Sequence, residues 1–398
     1  MTSDRLVGTL LDDRYRVEAR IASGGMSTVY RGLDTRLDRP VALKVMEARF
    51  AGDSQFLTRF QREARAIARL KDPGLVAIYD QGHDGSRPFL VMELIEGGTL
   101  RELLRERGPM PPHAVVAVLR PVLSGLGVAH QAGLVHRDVK PENVLISDDG
   151  EVKLVDFGLV RAIAEAGITS TSVILGTAAY LSPEQVAGTP TGPRSDVYSA
   201  GIMAFELLTG TTPFQGDNAL AVASQRLDRE VPPPSTIIDG VPPQFDHFIA
   251  QATAIDPTGR FEDALDMAAE LDVIADELVL PKFRVPAPKN SAQHAAATAL
   301  LQRVAQPNSP PGRQQTRQFT PTPGYSEDRV TDAVADEADE DPEFPRQFAG
   351  IDIDDFVYAR LRARRMVVFW VLAVLVLTGL VGVAAWTVGL NFPGLIGP

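Results

Sequence analysis

The run His136-Arg137-Asp138-Val139-Lys140-Pro141-Glu142-Asn143, followed thirteen residues after Asn143 by Asp156-Phe157-Gly158, constrains this chain more than any other feature. Two strand-like apolar runs, Val144-Leu145-Ile146 and Val152-Lys153-Leu154-Val155, lie between the clusters. Asp-Phe-Gly alone is a weak signal and would equally mark a turn. The joint spacing carries the specificity, since it sets two carboxylates, a lysine and an amide at fixed separations around a strand pair.

These residue types suit the transfer of a γ-phosphoryl group to a hydroxyl. The transition state is loose, so a protein mainly positions groups and screens charge. Asp138 would accept or orient the hydroxyl proton, and Lys140 would neutralise charge on the transferring phosphate. Asn143 and Asp156 offer the oxygen ligands that Mg²⁺ prefers. On these motifs the chain resembles the Hanks-type, eukaryotic-like protein kinase family, over roughly residues 13 to 275. The resemblance implies an α+β, bilobal protein kinase fold with a β-rich N-lobe and an α-helical C-lobe. It also implies ATP with Mg²⁺ or Mn²⁺ as cofactors.

Upstream, Tyr15 to Ile21 and Ser27 to Leu33 read as strands around the turn Ala22-Ser23-Gly24-Gly25-Met26. Taken alone this is a plain hairpin as readily as a phosphate loop. The resemblance makes it the glycine-rich loop, with Ile21, Ala22, Gly24 and Val29 at the nucleotide; Ala22 and Ser27 stand where the family has glycine. Val41-Ala42-Leu43-Lys44 is similar to the strand whose lysine binds the α- and β-phosphates, and Ala42 would leave room for adenine. Phe56 to Leu70 has the period of an amphipathic helix. Glu63 sits where the family places the glutamate that pairs with Lys44, although Arg59, Arg62 and Arg65 offer it surface ion pairs instead. Leu90 to Ile95 is a strand running into Gly97-Gly98. By resemblance it is the hinge, with backbone of Glu93 and Ile95 on adenine, Met92 as gatekeeper and Leu145 as the pocket floor.

Lys140 and the segment Gly176-Thr177-Ala178-Ala179-Tyr180 resemble the branch of the family that acts on serine and threonine of protein substrates. Glu184, in Leu181-Ser182-Pro183-Glu184, is placed to pair with Arg260, and Asp196 either braces the catalytic loop or simply caps a helix. Thr169, Ser170, Thr171 and Ser172 lie in a loop that phosphorylation would order through Arg137. Autophosphorylation is expected at Thr169 or Thr171. Ala22 and Ser27 motivate one alternative from another class, a nucleotide-binding pseudokinase scaffold.

The boundaries read as an N-terminal tail (1–12), a kinase domain (13–280), a disordered acidic and Pro-rich juxtamembrane linker (281–365), a single transmembrane helix (366–390) and a short extracytoplasmic tail (391–398). In the linker the hydrophobic periodicity fails, so a packed core is not expected there. A short helix at Ala295 to Val304 and phosphorylation at Thr316, Thr320 or Thr322 are weaker readings. Met366 to Leu390 carries no charge, and as a helix it would extend about 37 Å, enough for a bilayer core of about 30 Å. Arg360, Arg362, Arg364 and Arg365 flank one side only, which puts the kinase domain on the cytoplasmic face of the cell membrane. Gly379, Gly382 and Ala385 offer a face for a homodimer. The chain has no cysteine, which excludes disulfides and thiolate metal sites. A net charge of −12 argues against direct nucleic-acid binding.

Overall fold

The computed structural model describes residues 4–24, 27–47, 54–85, 87–157, 179–216, 219–305, 347–348 and 351–352. Two compact units divide the chain, Met1–Asn308 and Ser309–Pro398. In the second, the described residues are two short antiparallel strands, Gln347–Phe348 and Ile351–Asp352. Met366 to Leu390, the linker threonines and the four flanking arginines lie outside the described residues.

Along Val41-Ala42-Leu43-Lys44-Val45-Met46 successive side chains must point to opposite sides of a strand, so both faces of that strand need cover. In β4 (Arg39–Met46) Val41, Leu43 and Val45 join Leu11, Tyr15, Val17, Tyr30, Phe89 and Val91 on the outer face. Ala42 and Met46 face the other way, into a cluster with Phe60, Ala64, Leu90 and Met92. The six strands run β1 (Leu10–Leu11), β2 (Tyr15–Ser23), β3 (Ser27–Asp34), β4, β6 (Arg87–Met92) and β5 (Ile78–Asp84), antiparallel throughout. Helix α1 (Ser54–Ile67) covers the inner face through Phe60 and Ala64, four residues apart and therefore on one side of the helix.

The second lobe is helical. Its helices are α2 (Leu100–Arg107), α3 (Pro112–Gln131), α4 (Pro183–Ala187), α5 (Pro193–Thr209), α6 (Ala219–Asp228), α7 (Pro243–Ala252) and α8 (Ala264–Glu277). Every residue of α5 from Ser195 to Thr209 is buried, so this helix is the axis on which the lobe is built. At Gly201 a β-carbon would lie 2.7 Å from Thr253 Cγ2 and 2.8 Å from Ala252 Cβ, and its absence lets α7 approach. Helix α3 is long and apolar enough to span a membrane, but it packs as a core helix, with Val115, Val118, Leu119, Val122 and Leu126 inaccessible to solvent. A three-stranded antiparallel sheet, β7 (Gly97–Thr99), β8 (Val144–Ser147) and β9 (Val152–Leu154), joins the hinge to this lobe.

One expectation fails here. Residues 281–305, placed at the start of an unpacked linker, are packed against the kinase lobes. Val285 is 2% exposed within the helical lobe's core, and the Phe283 ring meets His113 edge-on at 4.9 Å. Helix α9 (Ala292–Ala305), longer than the weak reading at Ala295 to Val304, buries Gln293 and Ala296 and packs on β2 and β7. Small residues carry this contact, so hydropathy periodicity did not reveal it.

Candidate active site

The 3₁₀ turn Pro141–Asn143 and the β8–β9 hairpin bring the two motifs together, because Asn143 opens β8 and Asp156 follows β9. The Val155 N–H donates to the Asn143 carbonyl at 2.9 Å and closes the mouth of the hairpin. Arg137 and Asp156 both adopt left-handed backbone, at φ 67° and 69°. Such strain costs about 1–3 kcal/mol per residue and persists only where neighbours impose it.

At Arg137 the constraint comes from Asp196, at the start of α5 and inaccessible to solvent. Its Oδ2 accepts the His136 N–H and its Oδ1 the Arg137 N–H, both at 2.7 Å. His130 Nδ1 accepts the Ala264 N–H at 3.3 Å, which leaves Nε2 as the protonated nitrogen that donates to Asp196 Oδ2 at 2.9 Å. Hydrogen bonds to a charged group contribute about 1.5–3 kcal/mol each, so the two backbone bonds alone offset the strain. His136 follows the same logic: its Nδ1 accepts from the Asp138 N–H at 3.2 Å, and its Nε2 donates to the Val155 carbonyl at 3.0 Å. Asp196 is thus a brace, and the alternative of a free helix cap is set aside.

Asp138 is nearly buried. Lys140 Nζ donates to its two oxygens at 2.9 and 2.8 Å, and Asn143 Nδ2 donates to its Oδ2 at 3.0 Å and its carbonyl at 2.8 Å. The amide of Asn143 spends its nitrogen on Asp138, which leaves Oδ1 as its metal-capable atom. The other metal candidate, Asp156, accepts from Lys44 Nζ at 2.6 Å. Burial pushes the Asp156 carboxyl up, but the ammonium of Lys44, and more weakly that of Lys140, outweighs it and holds the group below the usual carboxylate range.

Lys44 therefore pairs with Asp156, not with Glu63; among the described residues no Lys44–Glu63 bond is formed. The expected partner lies on α1, whose placement relative to the sheet is a tertiary variable that spacing does not fix. Val29 faces Lys44 across the β3–β4 ladder, and Ala42 faces Met92 across β4–β6. Ala42, Met92, Ile95, Leu145 and Val155 meet in one apolar cluster at the hinge. The Glu93 side chain is turned to Lys153 Nζ at 2.7 Å, while its N–H donates to the Ala77 carbonyl at 2.9 Å. Ile21 and Ala22 lie in the last residues of β2, before Ser23, with Ala22 opposite Val29, and the Gly24 N–H donates to the Ser27 carbonyl at 2.9 Å to turn the loop. Gly25, Met26 and residues 158–178, with Thr169, Thr171 and Thr177, lie outside the described residues.

Arg260 forms the expected bidentate pair with Glu184, Nη1 to Oε1 at 2.8 Å and Nη2 to Oε2 at 3.0 Å. Two further features escaped the sequence reading. Gln185 Nε2 donates to the Arg137 carbonyl at 2.9 Å while its Oε1 accepts the Ser182 N–H at 2.9 Å, so one side chain caps α4 and holds the catalytic loop. The Ser182-Pro183-Glu184-Gln185 capping pattern was a usable signal. Arg101 on α2 reaches Glu142 at 2.8 Å and Glu206 at 2.7 Å, and Tyr180 completes a buried cluster with Arg101 and Glu206. No local pattern announces that set.

The protein kinase domain model matches residues 15–270. The chain is 65% identical over 398 residues, 99% of either chain, to the serine/threonine-protein kinase PknL of Mycobacterium bovis. It is 41% identical over 298 residues to the serine/threonine-protein kinase PknB of Mycobacterium tuberculosis, covering 73% of this chain and 48% of that one. Among solved structures, the PknI kinase domain of M. tuberculosis is similar at a TM-score of 0.54 and 26% identity, over 68% of this chain and 99% of the other. A catalytic loop braced from the core helix, a lysine and aspartate meeting in the cleft, a domain match over residues 15–270 and a likeness to one kinase across the whole length agree: the chain belongs to the protein kinase family.

Proposed function

We propose that the protein is a membrane-anchored serine/threonine kinase that passes the γ-phosphate of ATP to hydroxyls of protein substrates and phosphorylates its own loop. The observation that carries the reading is the arrangement around Asp138, a carboxylate held by Lys140 and Asn143, with Asn143 in turn bonded through its carbonyl to Val155, the neighbour of Asp156. Asp138 takes or orients the acceptor's proton. Lys140 lies close enough to Asp138 to follow that proton's oxygen and the phosphate it attacks.

Ala42, Met92, Ile95 and Leu145 supply apolar cover for adenine, with Ile21, Ala22, Gly24 and Val29 as the roof. Asn143 Oδ1 and Asp156 are the oxygens that would hold Mg²⁺ or Mn²⁺, which when bound neutralises phosphate charge. Two protein oxygens fit a cation that takes its remaining ligands from phosphates and water. Lys44 must leave Asp156 for Glu63 before both groups serve the nucleotide, so the geometry with Lys44 on Asp156 is a resting one.

Arg137 supports loop phosphorylation at Thr169 or Thr171. Among the described residues its guanidinium makes no ion pair, and its Nε is buried without a partner, an arrangement a phosphothreonine would satisfy. Anchoring by residues 366–390, the cytoplasmic placement of the kinase and a homodimer through Gly379, Gly382 and Ala385 rest on the sequence.

The test is incubation of the purified full chain with labelled ATP and Mg²⁺ or Mn²⁺, alongside Lys44→Met. Phosphothreonine and phosphoserine on the parent, with transfer lower by about 10²–10³ in Lys44→Met, is the expected result. Nucleotide binding with no transfer by either protein would replace this reading with a scaffold.

A further inference from the structure

The packing of residues 281–305 serves no part of the mechanism above, yet it touches both lobes and the hinge between them. It begins on the helical lobe. Arg284 Nε donates to the Asp149 carbonyl in the β8–β9 turn at 2.5 Å, Val285 is buried in the core, and the N–H groups of Lys289 and Asn290 donate to Glu106 Oε2 on α2 at 2.8 and 3.4 Å.

At the hinge the segment is seated on bare backbone. A β-carbon on Gly98 would fall 2.4 Å from Pro288 Cγ and 2.6 Å from Ser291 Cβ, so only glycine admits this crossing. Ser291, 5% exposed, then does two jobs: its hydroxyl donates to the Gly97 carbonyl at 2.5 Å, and the same Oγ accepts the His294 N–H at 3.0 Å as the cap of α9. Glu102 ties the two helix starts together. Its Oε1 accepts the Ala292 N–H at 2.9 Å while its Oε2 accepts the Thr99 N–H at 2.8 Å. From there α9 lies on β2, the strand that carries Ile21 and Ala22.

We propose that residues 281–305 form a clamp that positions the nucleotide site by fixing β2 relative to the hinge, and that ATP is held tightly only while α9 is seated. The proposal rests on the kinase reading for the identity of the ligand. The roof of the site is carried by β2 and its edge by Gly97, and one rigid helix touches both. A bound state available only to the seated fraction weakens apparent affinity in proportion to the fraction unseated. The seat is also built to release: Gln293 is 6% exposed, yet among the described residues neither its Nε2 nor its Oε1 has a hydrogen-bond partner. A buried amide left unpaired disfavours the docked state, since water satisfies it on undocking.

The test uses the full chain and three variants remote from the reacting groups. Ala296→Arg drives α9 off β2, Ser291→Ala removes latch and cap, and Gln293→Leu removes the unpaired amide. Dissociation of a fluorescent ADP analogue, the split between ATP KM and kcat, and amide hydrogen exchange are measured for each. In Ala296→Arg and Ser291→Ala, exchange rises across 292–300, in β2 and at Gly97–Thr99, while ADP release and KM rise about tenfold with kcat little changed. Gln293→Leu shifts all three the other way. Loss of protection at 292–300 with β2 exchange, KM and release unmoved overturns the clamp. So does a parent chain whose residues 292–300 exchange as unstructured peptide, or a set of variants that leaves their protection unaltered. The exchange measurements need no nucleotide, so a protein that bound no ATP would strike the kinase reading while β2 exchange still decided the clamp.

Discussion

Asp138→Asn lowers phosphate transfer by about 10²–10⁴, the range a positioned general base contributes, while nucleotide still binds. Volume is conserved, and the bond from Asn143 Nδ2 to the backbone carbonyl of residue 138 survives because no side-chain atom of that residue takes part. What changes is charge and proton affinity. Lys140 Nζ bonds both carboxylate oxygens in the parent, and an amide offers it only one acceptor. The Ala42, Met92, Ile95 and Leu145 cluster is held by apolar packing, which an isosteric change at Asp138 leaves in place. Single-turnover transfer to a peptide, measured beside a nucleotide titration, checks the claim. Transfer at the parent rate would remove Asp138 from the mechanism, and parallel loss of nucleotide binding would make its role structural.

Arg260→Met destabilises the helical lobe by about 3–5 kcal/mol, the usual cost of removing one partner from a buried ion pair. Arg260 is 4% exposed, and besides Glu184 its guanidinium satisfies the carbonyls of Ala254, Ile255 and Arg194. Its loss leaves Glu184 buried with Ser195 Oγ as its remaining side-chain donor, at 2.6 Å. Replacing both members, as Arg260→Met with Glu184→Leu, recovers most of the loss, since the penalty comes chiefly from the charge left behind.

The pH dependence has a definite sign. Burial pushes the Glu184 carboxyl up, but the hydrogen bonds from Arg260 and Ser195 outweigh it and hold the group below its ordinary 4.5. A depressed folded pKa contributes stability that is present above the unfolded value and lost as pH falls through the folded one. The gap between parent and Arg260→Met is therefore full at neutral pH and narrows below about pH 4.5. Urea unfolding of both proteins across that range decides it; a constant gap would show that the Glu184 charge does not carry the loss, and a gap under about 1 kcal/mol that the pair is dispensable.

The geometry around Asp138 was legible because its partners Lys140 and Asn143 lie within a few positions of it in the chain. The β4 strand and the Glu184–Arg260 pair were legible for related reasons, strict alternation in one case and motif position in the other. The partner of Lys44 was not, because the sequence offers one ammonium two carboxylates, Glu63 and Asp156, and tertiary placement decides between them. Residues 281–305 were misread for a different reason. Their hold depends on single contacts, Val285 in a core and Ser291 on a hinge carbonyl, and no periodic pattern encodes a contact made once.

Asp196 has a consequence for switching. It fastens the N–H groups of His136 and Arg137 to the axial helix of one lobe, so the loop that carries Asp138, the proposed base, is anchored within that lobe. Turning such an enzyme off removes the phosphate donor from alignment and leaves the acceptor side assembled. On the proposed roles a resting molecule keeps Lys44 on Asp156, and its background rate would report how often that pair opens. Regulation of this kind sets a duty cycle: a signal that doubles the time spent aligned doubles the output, with no catalytic group to rebuild.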